Sequence, residues 1–180
     1  LAVLIFVSMA GVVSADVIIN EIMYNPSATQ GDDSDLEWIE IFNNGTETVN
    51  LANWQISVND FDDSNITAGS YAIVAKELID GGDGDLDSFE AYYGNNDSVW
   101  NASDSLSNYT AVDGTFTFGN TAPADLINLS NGSYTQLVNY TSFIALFPDA
   151  DGQGKTLIFY KGNFTESGLV NGTPGASNDQ

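Results

Sequence analysis

The chain has no cysteine and no histidine among its 180 residues. Without cysteine, no disulfide staples the fold and no thiolate serves as nucleophile or metal ligand. Without histidine, imidazole general bases, Ser-His and Cys-His nucleophile pairs and the common zinc sites are excluded. Carboxylate chemistry and oxygen-ligated metals survive. Arginine is missing too, and three lysines, Lys76, Lys155 and Lys161, stand against 25 acidic residues, for a net charge of -22. Phosphate backbones are held by Lys and Arg through counterion release, so nucleic acid is excluded as a partner. The same repulsion disfavours anionic membrane surfaces. It favours divalent cations, or a medium salty enough to screen the charge.

What is present is apolar. Hydrophobic residues make up 43% of the chain and charged residues 16%, which supplies one core and argues against disorder. A chain of this length predicts one domain. Residues 1–15, LAVLIFVSMAGVVSA, are an uncharged apolar run ending in small residues at Val13 and Ala15 before Asp16. That pattern predicts the h-region and cleavage site of a secretory signal peptide, leaving residues 16–178 as the domain. The run falls short of the roughly 20 residues of a membrane span. An uncleaved membrane anchor, or a pilin-like helix packing into a filament, is the alternative.

Asn-x-Ser/Thr sequons begin at Asn44, Asn65, Asn96, Asn101, Asn108, Asn128, Asn131, Asn139, Asn163 and Asn171. They use ten of 19 asparagines, whereas Ser and Thr at their observed frequency would place about three by chance. The excess predicts a glycosylated, secreted or cell-surface protein. A turn vocabulary rich in Asn, Ser and Thr is the competing explanation.

Beyond the leader, short apolar runs alternate with turn residues, the pattern of a sandwich or barrel. Strands are predicted at 17–24, 37–43, 55–58, 70–75, 115–118, 125–129, 135–140 and 156–160, with a strong hairpin turn at Asn44-Gly45. One short helix is predicted at 85–93, ended by Gly94. The polar stretch 95–108 reads as a surface loop. In the strand at 37–43, period-2 alternation puts Ile39 and Ile41 on one face and Trp38, Glu40 and Phe42 on the other. Trp54, leading into Gln55-Ile56-Ser57-Val58, is expected to anchor the core between two sheets, and Trp38, Ile39 and Ile41 complete the core set.

Several of these segments carry a family resemblance. The order Asn20-Glu21-Ile22-Met23-Tyr24-Asn25-Pro26, Glu37-Trp38-Ile39-Glu40-Ile41-Phe42-Asn43 and Val49-Asn50-Leu51-Ala52-Asn53-Trp54-Gln55-Ile56 resembles the opening of a lamin-tail domain. Ala68-Gly69-Ser70-Tyr71-Ala72-Ile73-Val74, Asp125-Leu126-Ile127-Asn128-Leu129, Asn131-Gly132, Pro148-Asp149, Thr173-Pro174-Gly175 and Asn178 continue it. The match is to prokaryotic, exported members. Leu157 departs from the Trp that many of them carry nearby, and the sequon-rich stretch is an insertion. The resemblance implies an all-β, immunoglobulin-like β-sandwich with one short helix, acting as a non-catalytic adhesion or scaffold module with an extracellular protein or glycan as partner.

The richest acidic stretch is Asp80-Gly81-Gly82-Asp83-Gly84-Asp85-Leu86-Asp87, with Glu90 beyond. Asp83, Asp85 and Asp87 have the 1, 3, 5 spacing of a calcium loop. Ser88 stands where an EF-hand needs Gly, and Gly94 where it needs a bidentate Glu, so the expectation is a looser, weak calcium site. A solvated turn capping the helix is the alternative. Asp32, Asp33 and Asp35 form a second acidic turn, and Asp149 and Asp151 a third. Trp100, Tyr92, Tyr93 and Tyr109 are candidates for a sugar platform, with local packing as the plainer reading. A carboxylate or metal-dependent hydrolase would need two carboxylates facing each other across a cleft, and the spacing nominates no such pair.

Overall fold

The strand Trp38–Asn43 alternates so strictly that each face demands its own cover, and the chain supplies both. The computed structural model describes residues 17–57, 59–61, 64–82, 85–120 and 126–178. The leader expected at 1–15 lies outside the described residues, as do Val58, Asp83 and Asp125. In chain order the strands are β1 (Val17–Met23), β2 (Trp38–Asn43), β3 (Val49–Asn50), β4 (Gln55–Ile56), β5 (Asn59–Asp60), β6 (Asn65–Ile66) and β7 (Tyr71–Ala75). After the helix α1 (Phe89–Tyr93) come β8 (Thr110–Asp113), β9 (Ile127–Ser130), β10 (Thr135–Val138), β11 (Leu157–Tyr160) and β12 (Asn163–Glu166).

A six-stranded sheet runs β12-β11-β1-β2-β7-β8, and a four-stranded sheet β10-β9-β4-β5. Ile19, Ile22, Ile39, Ile41, Val74 and Leu157 from the first meet Ile56, Ile127, Leu129 and Val138 from the second in one buried core. Trp54, 5% exposed, joins that core beside Tyr134. This is an all-β sandwich with one short α-helix.

The outer face of the larger sheet is also covered. Met23, Trp38, Ile73 and Ala75 pack under Phe89 of α1 and under Tyr109, with Tyr93 and Trp100 against them. The larger sheet is thus buried on both sides near its centre. Trp38, expected on a partly covered face, is fully buried with Phe89 and Tyr93 edge-on to its ring.

The helix is shorter than predicted. Ser88 caps it by accepting from Ala91 N at 3.1 Å, which leaves 85–87 in a turn held by an Asp85 side-chain bond to Asp87 N. No strand forms at 115–118. Phe116 and Phe118 are buried and stacked, and their backbone is held by side chains instead. Lys76 donates to the Phe116 carbonyl, and the Phe118 N–H donates to Glu37 at 3.1 Å. The neighbouring strand is β8, which pairs parallel with β7. Its four residues carry too little alternation to be seen in sequence. The predicted strand at 135–140 stops at Val138, because Asn139 caps a 3-10 turn over Tyr140–Phe143.

Candidate functional site

The unusual polar chemistry lies on the outer face of the larger sheet. β1 and β2 pair antiparallel with a register shift between Ile19 and Glu21. This bulge turns both Asn20 and Glu21 away from the core, and it sets Glu21 directly opposite Glu40. Both glutamates are completely buried. Like charges directly opposed across a strand pair repel, and burial raises the cost. Burial first, and the Glu21 charge second, push the Glu40 carboxyl well above the usual carboxylate range.

Donors come from the C-terminal segment. Thr173 gives its N–H and hydroxyl to Glu21 at 3.1 and 3.0 Å, and the Thr156 hydroxyl is a third donor. The Gly175 N–H donates to Glu40 at 2.6 Å, and Asn20 Nδ2 donates to the other Glu40 oxygen at 2.7 Å. Asn178 Nδ2 closes the arrangement on the carbonyls of Asn20 and Phe159 at 3.1 and 3.0 Å. Three separated stretches of sequence, around Asn20-Glu21, Glu40 and Thr173–Asn178, therefore form one polar unit. Sequence reasoning noted each stretch and missed their convergence, which depends on the bulge. The pair lies buried under the C-terminal segment.

The acidic loop predicted to bind calcium is divided. The ligand atoms of Asp85 lie within 4.8 Å of those of Asp32 and Asp35. Asp87 accepts from Asp32 N at 2.7 Å, which ties this loop to the 31–35 turn. Glu90 points the other way. It is buried, receives the N–H groups of Asp97 and Ser98 at 2.9 and 3.1 Å, and clusters with Asp97 and Asp104. Asp80 accepts from Gly82 N at 2.7 Å within its own turn. Asp97 and Asp104 were not nominated from sequence, because their loop read as a polar insertion. In the third turn, Asp149 bonds Lys155, while Asp151 accepts from Asn25 Nδ2.

The family model described as Lamin Tail Domain matches residues 13–142. The chain belongs to the Lamin Tail Domain family. The fold of that family is immunoglobulin-like, in keeping with the two packed sheets. No curated protein and no solved structure matches the chain significantly. The matched stretch of this lamin tail domain ends within the 3-10 turn, yet β11 and β12 complete its larger sheet and residues 171–178 cover the glutamate pair.

Two other groups of residues in the lamin tail domain were nominated from sequence, the aromatic rings and the sequon asparagines. Trp100, Tyr93 and Tyr109 pack against one another and Phe89, leaving only Tyr92 substantially open, at 36% exposure. Those rings serve packing. The sequon asparagines Asn44, Asn65, Asn96, Asn101, Asn108, Asn139 and Asn163 are exposed, whereas Asn128, Asn131 and Asn171 are half-buried. Asn171 Oδ1 accepts from Gln30 and Tyr92.

Proposed function

We propose that this lamin tail domain is a secreted or cell-surface, non-catalytic module. It scaffolds or adheres to another extracellular protein or a glycan, carries N-linked sugar, and takes calcium weakly in its acidic loops. Any link to a membrane is through residues 1–15 alone. The observation that carries the reading is the exposure of seven sequon asparagines on a surface with little positive charge. Such a coat keeps an acidic domain soluble and directs contact to unglycosylated faces. The non-catalytic part is supported by the family and by the cover over the Glu21–Glu40 pair, which leaves no approach for a substrate between two carboxylates.

Calcium has two candidate groups, Asp32 with Asp35 and Asp85, and Glu90 with Asp97 and Asp104. Oxygen ligands alone suit that ion. Glycopeptide mass spectrometry of native material tests the central reading. Hexose-bearing Asn is expected at several exposed sequons and less at Asn128, Asn131 and Asn171. Uniformly unmodified peptides would reduce the sequons to turn composition and remove the main support for an extracellular role.

A further inference from the structure

We propose that residues 171–178 are a proton-controlled strap, docked on the outer face of the larger sheet while Glu21 and Glu40 share a proton and increasingly released as both ionise. The strap adds no strand to either sheet. Asn171 anchors it, donating its N–H to the Gly154 carbonyl at 2.7 Å and accepting from Tyr93 Oη at 3.1 Å. From Thr173 onward, its backbone N–H groups reach the sheet through carboxylates, at Glu21 and Glu40. Gly172 shows how close the fit is, since a Cβ there would lie 2.5 Å from Glu21 Oε1 and 3.1 Å from the Trp38 ring.

The three lysines of the chain are engaged elsewhere than at the glutamate pair. Lys76 is spent on Phe116 and Thr117, Lys155 on Asp149 and Glu166, and Lys161 lies over the Tyr160 ring. The chain has no Arg or His. The titratable groups facing the pair from the elements packed over it are Tyr71 on β7, Tyr93 on α1 and Tyr109 before β8. All three phenols are raised, chiefly by burial, and feel the glutamate charges as further repulsion. Burial and the mutual repulsion of the two carboxylates outweigh the Asn20 and Gly175 donors and favour the singly protonated pair while the strap is docked.

Lifting the strap hydrates both carboxylates, so the open form binds the shared proton less tightly. Opening then releases a proton, and by linkage a rise in pH favours the open strap. The window runs from the ordinary Glu value of about 4.3 up to the raised value of Glu40 in the docked form. Within it the opening constant climbs by up to about tenfold per pH unit, and above it the constant levels off.

Amide hydrogen exchange of the full chain, followed by NMR and corrected for intrinsic base catalysis, tests this. Thr173 and Gly175 are expected to lose protection with that slope while Ile39 and Ile41 hold theirs. Glu40→Gln should flatten the slope. Glu21→Gln, which leaves Glu40 beside a neutral partner, should move the window to lower pH, and it serves if the first variant does not fold. A flat wild-type profile, a slope that survives Glu40→Gln, or strap amides that exchange only together with Ile39 and Ile41 would each overturn the proposal.

Discussion

Replacing Gly175 with alanine puts a methyl group where the fold has a tyrosine ring. The new Cβ would sit 1.9 Å from Tyr109 Cδ1 and 2.2 Å from Cε1, on a residue whose φ is +76°. The ring has little room to yield, being 8% exposed and held at 5.1 Å against Trp100. Left-handed backbone costs a non-glycine residue about 1–2 kcal/mol. Lifting the strap to escape the ring breaks the Gly175 N–H bond to Glu40, and a hydrogen bond to a carboxyl held in its neutral form contributes about 0.5–1.5 kcal/mol net. Together these give a loss of about 1.5–3.5 kcal/mol. For a domain of this size each kcal/mol lowers Tm by about 2–4 °C, so a drop of about 3–14 °C is expected. Urea unfolding monitored by tryptophan fluorescence supplies the free energy, and Ala176→Gly, at an exposed neighbour, controls for added backbone freedom. If Gly175→Ala loses less than about 1 kcal/mol and Thr173 keeps its exchange protection, the strap is not held as described.

Trp54→Ala should cost about 3–5 kcal/mol in urea unfolding, since it empties a large aromatic site in the main core. Near-wild-type stability would remove Trp54 from that role. Because the Glu40 carboxyl is raised, the folded chain holds its proton more tightly than the unfolded chain does. Its contribution is complete below about pH 4.3 and is lost as pH rises through the folded value, so wild type should weaken relative to Glu40→Gln in that direction. Parallel unfolding curves for the two proteins from acid to neutral pH would contradict this. Millimolar calcium should raise Tm beyond sodium chloride of equal ionic strength, because an ion that binds only the folded form stabilises it by about 2.7 kcal/mol at a hundredfold excess over Kd. The double change Asp83→Asn with Asp85→Asn should remove the difference. Identical melting in the two salts would leave the loops as plain acidic turns.

The main strands were legible because their information is local. Alternation in Trp38–Asn43 determines which residues share a face, and Asn44-Gly45 ends the strand, but the hairpin expected there does not form, because β2 pairs with β1 and β7 and β3 with β6. Short pieces such as β8 and β12 were not legible. A strand of four residues is selected by the neighbour it pairs with, here β7 and β11, rather than by its own pattern. The helix was misjudged at its start because Ser88 competes with the preceding aspartates as a cap, and only the packing of Phe89 against Trp38 decides between them.

The candidate sites divide in the same way. Composition by itself determined that no thiol, imidazole or guanidinium chemistry operates here and that the surface is acidic, because those are properties of residues present or absent. Which carboxylates meet was decided by tertiary structure alone. Asp83, Asp85 and Asp87 are neighbours in sequence, yet Asp85 turns to Asp32 and Asp35, while Glu90 joins Asp97 and Asp104. Glu21 and Glu40 lie nineteen positions apart, and a single extra residue in β1 sets them face to face. Residues 171–178 then arrive from the far end of the chain to supply their donors. Local pattern chooses the face on which a side chain stands, but the energy of a buried charge depends on every group brought around it, and that set exists only once the chain has folded.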